Sequence, residues 1–399
     1  MKIHFWSPEL AQGGGGIEVY ATDWLNALID LFGVSQVKVF TKNDTTQQLQ
    51  TKWGGSVSAR GSRRVNSRLR TPAFVALIFS AALRDRPDLI VSMHVNFSPA
   101  ALWLKRMIGS RYLLTLHGID VWGLEHKQRK NGIAKAGLIV PISGYTAKRV
   151  IQEQGISPER LRILGCVVDA EQFQIGPKPD YLLKRYNLSP GQPVILTVGR
   201  LSTAERYKGH DRVLRAIAEQ SRKSKVESRN SDASDLQSPI SDLRYLIVGD
   251  GNDRPRLDKL AEELGVREIV TFAGKVPAEE LCDHYNLCDV FAMPSTGEGF
   301  GIVFLEALAC GKPVLAGNRD ASADALLQGE LGVLVDPDNP NELRDAIVSI
   351  LQRKHPHPLI YHPEALRQKV IESFGYEKFK ERLAAILGPL LNEKVERLK

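Results

Sequence analysis

Two glutamates, Glu298 and Glu306, lie in the part of the sequence with the clearest chemical pattern. Glu298 stands in a glycine-rich loop after the apolar run DVFAMP, and the amides of residues 299–301 (Gly-Phe-Gly) are expected to face a ligand. A helix is predicted to begin near Ile302, which places Glu306 about one turn into an otherwise apolar helix. Burying a carboxylate without a partner is costly. Hydroxyl groups are suitable partners, because carboxylates accept hydrogen bonds from them and glycine amides donate to them.

Two cations stand at element ends in the second half of the chain. Arg200 ends the predicted strand PVILTVGR, and Lys208 precedes a predicted helix that starts after Gly209. Both positions fall at the carboxyl edge of a parallel sheet, where a diphosphate would lie. A surface salt bridge is the alternative interpretation for either cation.

A run of four glycines, residues 13–16, follows the first predicted strand and opens a helix. Such a run allows the backbone to approach an anion at the positive end of the helix. The spacing is not GxGxxG, and no acidic residue is clearly placed for the ribose of NAD. A glycine turn without a ligand is the alternative.

Short apolar runs alternate with amphipathic stretches along both halves of the chain, which is typical of βαβ units. The predicted fold class is α/β, with two doubly wound parallel-sheet domains at residues 1–172 and 193–372. A linker rich in proline and glycine joins them at 173–192, and residues 373–399 form an amphipathic helix expected to pack on the N-terminal domain. Because parallel sheets bind ligands beyond the carboxyl ends of their strands, a ligand cleft is expected between the domains.

Composition excludes several classes of protein. The 399 residues are 43% hydrophobic and 25% charged, enough to bury a large core, although the polar stretch 221–242 is predicted to be a disordered surface insertion. The four cysteines contain no CxxC pair and lie near no histidine cluster, so neither a zinc site nor a disulfide framework is indicated. The N-terminus is too polar for a signal peptide and no apolar run approaches the roughly 20 residues of a membrane span, so a cytoplasmic location is expected.

Basic residues are concentrated in the first part of the chain. The formal net charge is +7, and residues 1–170 carry roughly 22 of the 53 basic but only roughly 12 of the 46 acidic side chains. The densest basic segment precedes the apolar run 74–79, a combination that fits an anionic membrane surface; a solvated loop leading into a core helix is the alternative. No nucleic-acid-binding signature accompanies it. The basic residues of this segment are Arg60, Arg63, Arg64, Arg68 and Arg70.

The segment EGFGIVFLEALACGKPV resembles the E-x7-E signature of retaining glycosyltransferases of family 4 (glycosyl transferases group 1), with Glu298 and Glu306 as the two glutamates. The similarity extends in the family's order over nearly the whole chain. Further matching segments are GGGGIE at 13–18, LHGID at 116–120, PISGYT at 141–146, VGR at 198–200, KG at 208–209, IVGDG at 247–251, FAGKVP at 272–277 and FGYEKFKERL near the end. The resemblance implies the GT-B architecture, two Rossmann-like domains with an inter-domain cleft.

The resemblance also implies roles for individual residues. Arg200 and Lys208 neutralise the diphosphate of the donor, Glu306 holds its ribose, and Glu298 holds its sugar together with neighbouring amides. His117 reaches the reacting sugar from the acceptor side. The implied catalytic residues are His117, Glu298, Arg200 and Lys208. The implied donor-binding residues are Gly15, Gly16, Gly249, Gly299, Phe300, Gly301, Ile302 and Glu306, with Lys275 and Val276 lining the pocket for the base.

The implied reaction moves a hexosyl unit from a UDP- or GDP-linked sugar to an alcohol, with retention of configuration, in polysaccharide, glycolipid or cell-envelope glycan synthesis. The leaving phosphate needs charge stabilisation, which two cations and a helix end supply, so neither a metal ion nor another cofactor is expected. Asp336-Pro-Asp338 stands in a proline-rich turn and does not fit a metal-binding DxD. The spacer LSTAERY is longer than the family's usual turn, which leaves open whether Arg206 or Lys208 contacts the diphosphate.

Two other functions share these features. A sugar phosphorylase or a sucrose- or trehalose-type synthase would use the same donor site on the same fold. A nucleotide-sugar-binding scaffold subunit would be expected to have lost at least one catalytic residue, and all four are present. The expected partners are a nucleotide sugar donor and a sugar, lipid-linked or small-molecule acceptor, and no nucleic acid. Trp103, Lys105 and Arg106, with the basic segment, suggest peripheral contact with the inner face of a membrane.

Overall fold

A computed structural model describes residues 1–12, 15–230 and 242–397 of the chain. The chain forms two compact units, one made of Met1–Val167 and Tyr376–Lys399 and the other of Val168–Gly375. Each unit contains one six-stranded sheet, and all neighbouring strands in both sheets are parallel. The predicted α/β class with two parallel-sheet domains is therefore confirmed.

The sheet of the first unit is wound in both directions from its first strand. Its strands are β1 (Ile3–Ser7), β2 (Val37–Thr41), β3 (Ser58–Gly61), β4 (Leu89–Ser92), β5 (Arg111–Leu116) and β6 (Leu138–Pro141), in the order β3-β2-β1-β4-β5-β6. The helices between them are α1 (Gly16–Phe32), α2 (Thr46–Lys52), α3 (Arg70–Asp85), α4 (Ser98–Ile108), α5 (Lys127–Ala134) and α6 (Gly144–Gln154). Strands β1 and β4 are buried at every position, as expected for a parallel sheet covered on both faces.

The second unit repeats this architecture. Its helices are α7 (Asp180–Arg185), α8 (His210–Asn230), α9 (Arg254–Glu263), α10 (Leu281–Leu287), α11 (Ile302–Ala309), α12 (Ser322–Ala325), α13 (Pro340–Leu351) and α14 (Pro363–Phe374). Its strands are β7 (Val194–Val198), β8 (Arg244–Val248), β9 (Val270–Gly274), β10 (Val290–Met293), β11 (Val314–Gly317) and β12 (Val333–Val335). The sheet order β12-β11-β10-β7-β8-β9 reverses between β7 and β10, which makes that point the topological switch of the sheet.

The last helix, α15 (Tyr376–Arg397), completes the first unit by packing on α1. The ring of Phe379 lies 6.1 Å from that of Tyr20 and 6.2 Å from that of Trp24, both edge-on. Tyr376 donates a hydrogen bond to Asp30 over 2.9 Å. Burial of these aromatic rings holds the end of the chain on the first unit.

Two segments that the sequence predicts to be a linker and a surface insertion contain helical residues. The stretch 173–192 contains α7 and is anchored to the second unit, where Lys178 Nζ lies 2.7 Å from Asp289 Oδ2 and Tyr181 donates to Asp283 over 2.7 Å. Its prolines and glycines indicate turns but do not reveal these distant polar partners.

The predicted insertion 221–242 is helical as far as Asn230, and 231–241 lie outside the described residues. In the described residues, no helix is both long and apolar enough to span a membrane.

Candidate active site

Four predicted site segments follow the carboxyl ends of adjacent strands in the second unit. Arg200 follows β7, Gly249 follows β8, Lys275 and Val276 follow β9, and Glu298 follows β10. Because these strands are parallel neighbours in the sheet, their carboxyl ends share one edge. This edge includes the switch between β7 and β10, where ligands of open α/β sheets bind.

Two cations and two carboxylates form a charged cluster at this edge. The Lys208 ammonium contacts the Glu298 carboxylate directly and lies 3.9 Å from Glu205 Oε2, while Arg200 pairs with the other oxygen of Glu205. The side chain of Lys208 is 13% exposed and that of Arg200 is 71% exposed. An incoming phosphate would compete with the two carboxylates for both cations. Sequence reasoning does not single out Glu205, whose one signal is its place in the spacer three residues before Lys208.

The spacer brings Lys208, and not Arg206, to Glu298. Arg206 Nε lies 2.9 Å from an oxygen of the buried Asp253, a carboxylate that also pairs with Arg256. Gly209 has a φ of +82°, and a Cβ atom there would lie 2.5 Å from the Pro294 carbonyl oxygen. Glycine at this position therefore allows the Lys208 loop to approach the end of β10.

Gly249 occupies a close backbone contact between two strand ends. Its φ is +133°, and a Cβ atom would lie 1.9 Å from the carbonyl oxygen of Gly199. This contact gives Gly249 a packing role beside Arg200, and its predicted role in donor binding stays a prediction. Lys275 is exposed and Val276 is half-buried beyond β9.

The glycine loop between β10 and α11 leaves backbone amides available. Gly301 has a φ of +91°, and a Cβ atom there would lie 2.4 Å from the Phe304 ring. Phe300 is buried, with its ring edge-on to that of Phe374 at 5.7 Å. Within the described ranges, the amides of residues 299–301 donate no hydrogen bond. They precede Ile302, the first residue of an eight-residue helix, where an oxygen ligand would be favourable.

Asp320, after β11, holds the Glu298 loop in place. Its Oδ2 accepts hydrogen bonds from the Glu298 amide and from Ser295 Oγ, each over 2.7 Å, and its Oδ1 accepts from the Ser322 amide over 2.9 Å. Burial raises the pKa of Asp320, while these donors oppose the rise. Asp320 thus positions the loop, although it is not among the site residues predicted from the sequence. The one feature of the sequence that could have indicated this role is an acidic residue shortly after an apolar strand.

Among the described residues, the Glu306 carboxylate has one hydrogen-bond partner, which binds one of its two oxygens. Tyr285 on α10 donates a hydrogen bond to Glu306 Oε2 over 2.6 Å. Burial raises the pKa of Glu306 to about 7, and the bond from Tyr285 lowers it. No hydrogen bond reaches Glu306 Oε1 from any described residue. This oxygen is available to accept a hydrogen bond from a ligand hydroxyl. The sequence analysis predicts such a partner for the Glu306 carboxylate.

His117 follows β5 in the first unit and is neutral. Its Nε2 lies 2.7 Å from the Met93 carbonyl oxygen, which can only accept, so this nitrogen carries the proton. Burial lowers the pKa of His117 to about 4. Its Nδ1 is then a buried acceptor that finds no partner among the described residues. The imidazole can therefore accept a hydrogen bond from a hydroxyl group.

Gly15 and Gly16 begin α1 in the first unit. Gly15 is the extended residue before the helix, and among the described residues beyond its chain neighbours no atom lies within 4 Å of the position where its Cβ would stand. Gly16 is the first helical residue. The space beside Gly15 suits an anion at the helix end. Gly13 and Gly14 lie outside the described residues.

Asp336 and Asp338 are ion-paired. Both pair with Arg319, each over 2.6 Å, in the loop before α13. In the part of the chain that the structure describes, no group of three or more His, Cys, Asp and Glu side chains is placed to share a metal ion.

Family models match most of both units. The model of Glycosyltransferase Family 4 matches residues 14–172, and the model of Glycosyl transferases group 1 matches residues 182–367.

Two groups of curated relatives share about a third of the aligned residues. The chain is 32% identical over 263 residues to the GDP-mannose-dependent alpha-(1-6)-phosphatidylinositol monomannoside mannosyltransferase of Mycolicibacterium smegmatis, covering 62% of this chain and 63% of that protein. It is 33% identical over 224 residues to the D-inositol 3-phosphate glycosyltransferase of Corynebacterium jeikeium, covering 54% and 49%. The chain thus spans less than two thirds of the length of these relatives.

Solved structures resemble the chain over almost its full length. Anabaena Alr3699/HepE in complex with UDP and glucose gives a TM-score of 0.76 at 19% identity, covering 98% of this chain and 100% of that one. The sucrose-phosphate synthase of Thermosynechococcus elongatus gives 0.78 at 20% identity, covering 98% and 99%. These similarities show the fold. The two family models, which together match most of the chain, show that it belongs to the family 4 glycosyltransferases, group 1.

Proposed function

We propose that the chain is a retaining glycosyltransferase that moves a hexosyl unit from a nucleotide diphosphate sugar to an alcohol acceptor, in glycolipid, polysaccharide or cell-envelope glycan synthesis. The observation that carries the proposal is the contact of Lys208 with Glu298 beside Arg200, at the switch point of the second sheet. Cations there suit phosphate oxygens and carboxylates suit sugar hydroxyls. Family membership supports this chemistry.

The two cations would stabilise the leaving diphosphate. Negative charge grows on the phosphate oxygens as the bond to the sugar breaks, and preorganised donors at such a position contribute about 10²- to 10³-fold each to the rate. Lys208 is held by Glu298 and Glu205, while the exposed Arg200 can move toward an incoming anion. We propose that these charges replace a divalent ion.

The carboxylates and amides would hold the rest of the donor. Glu306 Oε1 would accept from a ribose hydroxyl, and Glu298 with the amides of residues 299–301 would bind the sugar. The neutral His117 would accept a hydrogen bond from a hydroxyl of the transferred sugar. Lys275 and Val276 would lie beside the base.

GDP-mannose is the first donor to test, because three of the relatives are named as GDP-mannose-dependent mannosyltransferases. The names of those relatives also contain phosphatidylinositol monomannoside, and other relatives are named D-inositol 3-phosphate glycosyltransferase. We therefore propose a lipid-linked or inositol-containing acceptor as the first class to screen.

A nucleotide panel tests the donor assignment. Thermal unfolding would be measured with UDP, GDP, ADP and their common sugar conjugates, in EDTA. A ligand at 100 times its dissociation constant stabilises the folded state by about 2.7 kcal/mol. We expect one nucleotide family to raise the Tm, with GDP and GDP-mannose first. Absence of any shift would contradict the donor site, and a shift seen only with added divalent ion would contradict metal independence.

An apolar and basic surface on the first unit supports a membrane-linked acceptor. Trp103 and Met107, one turn apart on α4, are 58% and 53% exposed. Helix α4 packs beside α3, and Arg106 and most of the basic segment are exposed. The run 74–79 adds less apolar area to this surface than its sequence suggests, because Phe74 and Ile78 are buried in the core.

Binding to lipid vesicles tests this surface. We expect the protein to sediment with vesicles containing anionic lipid and to be released by salt. Each Arg or Lys near such a surface contributes about 1 kcal/mol, so Arg106→Ala should weaken binding about fivefold. Trp103→Ala should weaken it as well, whereas Ile163→Ala, which truncates another exposed apolar side chain, should not. If all three variants bound the anionic vesicles equally tightly, the result would contradict the assignment of Trp103 and Arg106 to a membrane-binding surface.

A further inference from the structure

Two cysteines of the second unit face each other across neighbouring helices. Cys282 lies on α10 and Cys310 directly follows α11, and their sulfur atoms are 3.8 Å apart. Both thiols are free. A disulfide bond has an S–S distance of about 2.05 Å, so the sulfur atoms need to approach by only about 1.8 Å.

The two thiols differ in character. The Gln174 amide and Asn286 Nδ2 lie 3.4 and 3.5 Å from Cys282 Sγ as donors, and the Gln174 carbonyl oxygen lies 3.5 Å from it as an acceptor. The hydrogen bond from Cys310 lowers the pKa of Cys282 to about 6, against the effect of burial. Arg367 favours the thiolate and Asp283 opposes it. The pKa of Cys282 is lowered and that of Cys310 is raised, so Cys282 is the more nucleophilic thiol of the pair at neutral pH.

The remaining cysteines lack these properties. Cys166 and Cys288 are buried, whereas Cys282 is partly exposed. Burial raises the pKa of Cys288 to about 12, so it carries almost no thiolate at neutral pH. Cys288 is therefore a matched control within the same unit.

We propose that Cys282 and Cys310 form an oxidation site that a peroxide converts to a disulfide. The Cys282 thiolate attacks one oxygen of hydrogen peroxide, the O–O bond breaks, and the released hydroxide takes up a proton to form water. The Cys310 sulfur then attacks the sulfur of the resulting sulfenic acid. The S–O bond breaks, and the hydroxyl leaves as water with the Cys310 proton. Two thiols and one peroxide thus give one disulfide and two water molecules.

The disulfide would join the helices that hold the Glu306 carboxylate. Tyr285, three residues after Cys282 on α10, donates to the Glu306 side chain over 2.6 Å, and the Cys310 amide donates to the Glu306 carbonyl over 3.1 Å. A shift of α10 toward the end of α11 would therefore act on the proposed ribose contact. This consequence rests on the proposed function, whereas the disulfide itself can be tested without a nucleotide.

Non-reducing peptide mapping tests the proposal. The reduced full chain would be treated with hydrogen peroxide, alkylated with iodoacetamide, digested and analysed by mass spectrometry. We expect a linked pair of peptides containing Cys282 and Cys310, reversed by dithiothreitol. The same product should form in Cys288→Ala and be lost in Cys282→Ser.

Alkylation of the untreated wild type gives a second readout that does not depend on a folded variant. At pH 6.5, iodoacetamide should modify Cys282 first, at least about tenfold faster than Cys288, because the thiolate is the reactive species. The proposal is overturned if peroxide leaves Cys310 open to alkylation while Cys282 is lost as a sulfinic acid. It is also overturned if peroxide leaves both thiols unchanged, or if Cys288 is alkylated as fast as Cys282.

Discussion

The Lys208→Met variant is expected to lose about 10²- to 10³-fold in kcat, because it lacks a preorganised cation at the leaving phosphate. Lys208 is largely buried and touches Glu298, so water cannot fully replace its charge. The substitution keeps the length of the apolar stem and removes the ammonium. The initial rate of nucleotide diphosphate release, at saturating donor, measures the effect.

A surface lysine supplies the matched control. Lys259 on α9 is 76% exposed and, in the described part of the chain, forms an ion pair only with Glu263, four residues along the same helix. Lys259→Met should retain the wild-type rate, because an exposed ion pair contributes little. A Lys208→Met rate within about threefold of wild type would contradict the assignment of this cation, provided that its Tm matches that of the control.

The Glu306→Gln variant is expected to bind the donor about tenfold or more weakly and, without ligand, to unfold at a higher temperature at pH 8. Affinity falls because hydrogen bonds to a charged acceptor contribute about 1.5–3 kcal/mol and a neutral amide contributes less. Stability rises because the variant no longer buries a charge, while Tyr285 keeps an oxygen to which it can donate. Titration calorimetry and thermal unfolding measure the two effects.

The stability difference should depend on pH in a defined direction. Burial raises the pKa of Glu306 to about 7 from an ordinary value of 4.5. Below pH 4.5 the carboxyl is protonated in both folded and unfolded states, and the wild type has its full stability from this group. As the pH rises through about 7 that contribution is lost, so Glu306→Gln should gain up to about 3 kcal/mol relative to wild type. The control Glu263→Gln, at an exposed position, should show no such trend. A difference that is constant with pH, or unchanged donor affinity, would contradict the account.

The local pattern of the sequence predicts the strands and the loops that carry the site. Apolar runs such as DVFAMP become buried strands, and the motifs after them share one sheet edge because the strands are parallel. The position of Glu306 in a short apolar helix also predicts its need for a partner. These features are set by residues that are close together in the sequence, so the periodicity of apolar residues and the positions of glycines are enough to predict them.

The partners of the site residues could not be predicted in the same way. Tyr285 stands 21 residues before Glu306, and Asp320 stands 22 residues after Glu298. Such contacts depend on which strands are adjacent and on how α10 packs beside α11. The spacing of these residues along the chain does not predict which strands are adjacent or how the two helices pack. The anchoring of 173–192 to the second unit is hidden for the same reason.

Nucleotide diphosphate release from GDP-mannose, and from any other donor that raises the Tm, tests the central claim most directly. The assay would contain EDTA and an extract of membrane lipids as the source of acceptor, and would compare wild type with Lys208→Met, Glu306→Gln and Lys259→Met. We predict release by wild type and Lys259→Met, strong loss in Lys208→Met, and a fall in Glu306→Gln at low donor concentration. Equal release by all four proteins would show that the cluster around Lys208 and Glu306 is not where the donor reacts.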